Sequence, residues 1–202
     1  MLVKDNFEFN QDYILEDERV LLRPITSLDA NELALYVRTE PEIWKYSLVA
    51  INKEADLQGY IETAIHSRIQ KTAYPFIVYD KALKSYVGST RFYDIQLASE
   101  TTQLGYTWYS KKVWGTGLNQ HCKYLLLQFA FDQMNFKRVE FRADNDNKRS
   151  IAAMQKIGCK VEGVLRSHLP RPDGSRRDSI VLSITKDDWD TEVKSLIQSQ
   201  LK

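Results

Sequence analysis

With two cysteines in 202 residues, Cys122 and Cys159, the chain has too few thiols for a disulfide scaffold. Both read as small buried hydrophobes rather than nucleophiles. The three histidines, His66, His121 and His168, show no ligand spacing with either cysteine, so no metal is expected. No apolar run approaches the roughly 20 residues of a membrane span, and no signal peptide opens the chain. A cytoplasmic protein with reduced thiols and no membrane contact is therefore expected. An excess of one charge is also missing: 28 Lys plus Arg against 27 Asp plus Glu leaves +1, and nothing global draws the chain to nucleic acid. Internal repeats and low-complexity tracts are absent. With 43% hydrophobic residues, the chain suits one domain whose core needs no staples.

What the chain does carry is Lys112-Val113-Trp114-Gly115-Thr116-Gly117, set between a strand-like run at 101–109 and an apolar-periodic helix at 118–134. Two glycines let a backbone approach an anion without a Cβ in the way, and the first turn of a helix offers unpaired N–H donors. The pattern reads as a phosphate cradle. It is not a nucleotide-hydrolysing P-loop, because Gly117 is followed by Leu118 and Asn119 instead of Lys and a hydroxyl residue. Nor does it match a dinucleotide loop, since position 120 is Gln where a third glycine belongs.

Beyond that helix, 137–143 (KRVEFRA) alternates as a strand, and Asp144-Asn145-Asp146-Asn147-Lys148-Arg149-Ser150 opens a helix at 151–157 that stops at Gly158. At this point the chain resembles the GNAT superfamily of acetyl-CoA-dependent N-acetyltransferases, and within it the RimJ/RimL ribosomal-protein branch. The resemblance runs from Val20 to Trp189 and includes the strand Val20-Leu21-Leu22-Arg23-Pro24 and the run Asp173-Gly174-Ser175-Arg176-Arg177-Asp178. One departure is Lys112, which stands where the family loop begins with Gln or Arg. The resemblance implies a mixed α/β fold with a mostly antiparallel sheet flanked by helices and two parallel central strands that splay apart. Acetyl-CoA would be the acetyl donor, with its pantetheine arm in the gap.

On that resemblance, Trp108 and Tyr109 supply backbone groups to the acetyl and pantetheine portion, and Gly115, Thr116 and Gly117, with Lys112 beside them, receive the pyrophosphate. Asn147 would bond the arm, and Ser150 would stabilise the departing thiolate. Competing readings stay open: Trp108 and Tyr109 as ordinary strand aromatics, Asn147 and Ser150 as helix-capping residues, Lys112, Lys148 and Arg149 as solvated charges. For the general base, Glu162 and His168 would share one face of the strand after Gly158, although Glu162 also reads as exposed scaffold. Water relay is the third option. Asp178 is expected to pair with a neighbouring arginine.

The remaining chain reads as an arm at 1–17, one domain at 18–190 and a tail at 191–202. Strands are expected at 19–25, 76–79, 85–95, 101–109, 159–168 and 177–185, with helices to about 38 and at 53–70. Trp44, Tyr46, Tyr60 and Tyr74 suggest an aromatic mouth for the acceptor, though aromatics more commonly serve the core. A peptide or protein α-amine is the leading acceptor. A small amine (amino acid, amino sugar or antibiotic) and a non-catalytic acyl-CoA-binding domain are the alternatives, and a homodimer is left open.

Overall fold

The computed structural model describes residues 7–201. Eight strands form one sheet: β1 (Leu15–Glu16), β2 (Val20–Pro24), β3 (Ala73–Asp80), β4 (Ser85–Gln96), β5 (Thr101–Tyr109), β6 (Arg138–Asp144), β7 (Lys160–Pro170) and β8 (Arg176–Thr185). Their spatial order is β1-β2-β3-β4-β5-β6-β8-β7, and every neighbouring pair is antiparallel except β5–β6. The sequence placed β5 correctly to the residue and drew β3 too short, stopping at Pro75, where the backbone in fact continues as strand to Ala73.

The helices α1 (Asp29–Thr39), α2 (Glu54–Ile69), α3 (Leu118–Gln128) and α4 (Lys148–Lys156) follow from apolar residues at three- and four-residue spacing. Leu33, Val37, Leu57, Ile61 and Ala64 of α1 and α2 form one cluster with Ile77 of β3. A second and larger core gathers Tyr74, Phe76 and Val78 from the opposite face of β3 with Leu118, Cys122 and Leu126 of α3 and Met154 of α4. β3 is thus buried on both sides, which is why it reads as a continuous apolar run rather than an alternating one. At its end α3 widens into a π turn, Phe129–Gln133, so that Phe129, Ala130 and Phe131 are all buried in succession.

Both ends of the described residues pack against the domain. Phe7 and Tyr13 pack around Tyr74 and Phe129, with ring centroids 4.8 to 6.1 Å apart, and β1 extends the sheet. After α5 (Lys186–Asp188) a π turn at Trp189–Val193 leads into α6 (Lys194–Gln198). Trp189, Val193 and Ile197 are fully buried, and the Trp189 indole donates to Asp132 at 3.0 Å. Burial of such side chains stabilises by roughly 1.5–3 kcal/mol each. Phe9, Leu15, Val193 and Ile197 thus enter the core, while most of the other residues of 7–17 and 191–201 are exposed.

Candidate active site

Strands β5 and β6 are paired only at Thr101↔Arg138, Thr102↔Val139 and Gln103↔Glu140. Beyond that point they diverge, and residues 104–109 and 141–144 face each other across a cleft of about 1080 Å³. The cause is local to β5. Its ladder with β4 shifts register between Ser89 and Arg91, and Tyr106 takes a left-handed φ of 51°, so the strand bulges and bends away from β6. Gly88 permits the close approach of β4 on the other side, since a Cβ there would sit 2.1 Å from the Trp108 carbonyl oxygen.

Which backbone groups face the cleft follows from the register. The Ser110 N–H donates to Val87 at 2.7 Å, making 110 and 87 a hydrogen-bonded pair, so the next pair, Tyr109↔Gly88, is a non-bonded one. The N–H and C=O of Tyr109 consequently point to the open side. The carbonyl accepts the Trp114 indole N–H there at 3.0 Å.

Below the divergence, the loop runs through a short turn at Lys111–Val113 into α3. Gly115 and Gly117 have φ of 76° and 91°, and a Cβ at either would meet nothing within 4 Å. Glycine is required here by conformation, and the open space above it is free for an anion. No acidic residue lies in the first turn of α3. Opposite, Asn147 caps α4 by accepting the Ser150 N–H at 3.1 Å, which leaves the Ser150 hydroxyl to line the cleft. The Arg149 guanidinium lies 3.4 Å from the centroid of the Trp114 ring and joins Lys148 on the wall. The side chains of Lys112 and Thr116 do not line it. Thr116 instead donates its hydroxyl to the Val113 carbonyl at 2.9 Å.

On the other side the wall is aromatic and basic. Trp44, Tyr46 and Tyr60 line it with Tyr93, Tyr106, Arg142, His168 and Arg177. Trp44 packs on Trp108 at 4.4 Å between ring centroids, and both indole N–H groups are buried without an acceptor among the described residues. Tyr74, grouped with these aromatics from sequence, belongs to the core beneath Tyr13.

Glu162 and His168 do share a face, through contacts to Ser183 and Ser179 respectively. Those two serines are four residues apart on β8, about 13 Å at roughly 3.3 Å per residue. Only His168 reaches the cleft. Glu162 is held by Ser183 and by Arg138 at 2.6 Å, which together lower its pKa, and it does not line the cleft. Asp178 accepts the Ser167 N–H at 2.7 Å and forms no ion pair among the described residues, contrary to the expected arginine partner. His168 is lowered from 6.5 by burial and by Arg142, Arg177 and Arg176, so it is neutral at pH 7.

Lys123 escaped the sequence reading as one more lysine on an amphipathic helix. It is 5% exposed, lines the cleft and donates to Thr107 Oγ1 at 3.2 Å, with no carboxylate partner among the described residues. Burial pulls its pKa down to about 8. In sequence, Arg177 reads only as the first residue of a strand and a member of the run Asp173–Asp178. Its side chain is 6% exposed, and its pKa is lowered chiefly by burial. Elsewhere, Asp17, Glu18 and His121 bring ligand-type atoms within 4.8 Å of one another. Asp17 there accepts two backbone N–H groups and contacts His121 at 2.7 Å, fastening the β1–β2 turn to α3.

Residues 19–160 match the acetyltransferase (GNAT) domain family, and the chain belongs to it. Among relatives, the chain is similar to the "Putative ribosomal N-acetyltransferase YdaF" of Bacillus subtilis, 25% identical over 182 residues, covering 87% of this chain and 96% of that protein. A crystal structure of a "putative acetyltransferase" from T. thermophilus superposes with a TM-score of 0.83 at 28% identity, covering 94% and 97% of the two chains. The microcin C7 self-immunity acetyltransferase MccE, crystallised with acetyl-CoA and AMP, shares the fold with a TM-score of 0.75 at 23% identity, covering 84% and 93%. The chain is accordingly a GNAT N-acetyltransferase.

Proposed function

We propose that this protein transfers the acetyl group of acetyl-CoA to a primary amine, by direct attack on the thioester, with a peptide or protein α-amine as the leading acceptor. One observation carries the reading: the unpaired half of β5 ends on an outward-facing Tyr109 N–H directly above a left-handed glycine loop that opens α3. An acyl carrier with a pyrophosphate fits that order. Gly115 and Gly117 would hold its phosphates, Lys148 and Arg149 would add positive charge, and the β5 edge would bond its amide arm as an added strand does.

Acyl transfer to nitrogen has three demands. The carbonyl oxygen needs a donor as it gains charge, and the outward-facing Tyr109 N–H would serve as one. The leaving sulfur needs a proton or a hydrogen bond, which the Ser150 hydroxyl offers. The amine must lose a proton, and His168, held neutral, can take it but only weakly. A weak base suits an α-amine, whose pKa near 8 leaves far more of it unprotonated at pH 7 than a lysine with roughly 10.4. The resemblance to ribosomal-protein acetyltransferases supports a chain terminus, and Trp44, Tyr46 and Tyr60 line the cleft that would receive it.

The test is a thiol-release assay with acetyl-CoA, offered a peptide with a free N-terminus, a lysine peptide with a blocked one, and small amines. The free N-terminus should react fastest. Equal rates on the two peptides would refute the α-amine preference, turnover of small amines alone would make this a small-molecule enzyme, and binding without turnover would make it an acyl-CoA-binding domain. In calorimetry Gly117→Val should bind CoA at least tenfold more weakly, because valine is strained at φ 91° and fills the space above the loop.

A further inference from the structure

Resting on the acetyltransferase reading, we infer that the acceptor amine carries an anionic group, a carboxylate or phosphate, which docks on the Arg177 guanidinium at the basic wall of the cleft. Arg177 is 6% exposed, yet it lines the cleft and has no carboxylate within ion-pair distance among the described residues. Its Nε donates to Ser179 Oγ at 2.9 Å, and the same oxygen contacts His168 Nδ1 at 3.0 Å. One hydroxyl therefore fixes both the cation and the proposed proton acceptor. The terminal nitrogens of the guanidinium make no hydrogen bond among the described residues, and the residue lines the cleft.

The nearby carboxylates are already committed. Asp144 is gripped by Arg171 at 2.9 and 3.0 Å, and it also accepts the Asp146 N–H at 3.0 Å. Glu140 is shared by Arg142 at 2.7 Å and Arg138 at 3.3 Å. Asp94 accepts from the side-chain amides of Gln96 and Gln103, both at 2.8 Å. The other buried arginine among the described residues, Arg91, is satisfied differently, between the rings of Tyr60 and Tyr106 at 4.6 and 4.2 Å. Asp144 acts on Arg177 only through space, so the buried guanidinium is left without an anion in contact, and its planar fork is matched by two oxygens of one. With His168 tied to the same Ser179, an acceptor held by its acid would present its amine beside the weak base. Free α-amino acids and amino phosphates satisfy this, as does a peptide whose first residue is Asp or Glu.

The experiment uses matched pairs in the thiol-release assay: an amino acid and its amide, phosphoethanolamine and ethanolamine, and a peptide beginning with Glu against one beginning with Gln. At least one anionic member should be favoured in kcat/KM by roughly 10- to 100-fold, the range for a desolvated charge pair. Arg177→Gln should erase that preference, mostly by raising KM, and Arg177→Lys should retain part of it. Neutral members reacting as well in all three pairs, or a preference that survives Arg177→Gln, would overturn the inference. A second readout is independent of turnover. Inorganic phosphate and acetate are titrated against the melting temperature of wild type and both variants, each confirmed folded by its unliganded melt. A stabilisation that is smaller in Arg177→Gln supports the site, and identical titrations refute it. Failure of the acetyltransferase reading itself would show separately, as no CoA binding by calorimetry.

Discussion

Replacing Lys123 with methionine should make the protein more stable at neutral pH, and the gain should vanish in alkali. The folded-state pKa of about 8 lies below the ordinary 10.5 because burial penalises the ammonium. Above 10.5 neither folded nor unfolded chain holds this proton. Between 10.5 and about 8 the unfolded chain takes it up first, so stability falls as the pH falls, and below 8 the penalty is complete. At about 1.4 kcal/mol per pH unit, the gap amounts to about 3 kcal/mol at pH 7. Methionine forfeits the bond to Thr107, worth about 1 kcal/mol, and the ammonium contact 5.5 Å from the Phe141 ring centroid, worth about 0.5–1 kcal/mol. Thr107 keeps its partner Thr90 at 2.7 Å, so no polar atom is stranded. The net gain at pH 7 is therefore about 1–2 kcal/mol, or a melting temperature higher by about 2–8 °C for a domain of this size. Urea unfolding of both proteins at pH 7 and pH 10 measures it. Tyrosines and cysteines that titrate in the same range are common to both chains and cancel in the difference. A less stable variant at pH 7, or a difference independent of pH, would refute the assignment of Lys123 as an uncompensated buried cation.

Two further outcomes are expected. Ser150→Ala should reduce turnover at least tenfold while CoA affinity by calorimetry changes little, because a bond to the sulfur strengthens only as charge arrives there; a lowered melting temperature with normal turnover would assign Ser150 to the helix start alone. His168→Gln should lower the rate by severalfold and leave a pH profile that follows the titration of the acceptor amine, since His168 titrates below 6.5 and is already neutral above pH 7; an unchanged profile with a wild-type rate would remove it from proton transfer.

How far the sequence could be read depended on the range of the interaction concerned. Strand β5, the glycine loop and the Asn147 cap are local, written in residues adjacent in the chain, and they are found where periodicity and turn chemistry put them. Glu162 and His168 fall on the predicted face, but sharing a face does not say what packs against it, and Glu162 meets Arg138 from a strand 24 residues away. Tyr74 was drawn to the mouth by composition, although two fully buried faces of β3 claim it for the core. Lys123 and Arg177 were illegible for a different reason. Their character lies in what surrounds them, and their neighbours Thr107 and Phe141, or His168 and Tyr93, come from other elements.

The three-residue seam between β5 and β6 also divides the molecule mechanically. On one side lies an antiparallel leaf of β1 to β5, on the other an antiparallel leaf of β6 to β8. Because their pairing stops at Gln103 and Glu140, a rotation about this seam would act on the width of the gap between Tyr109 and Ala143 and leave the antiparallel ladders on either side in register.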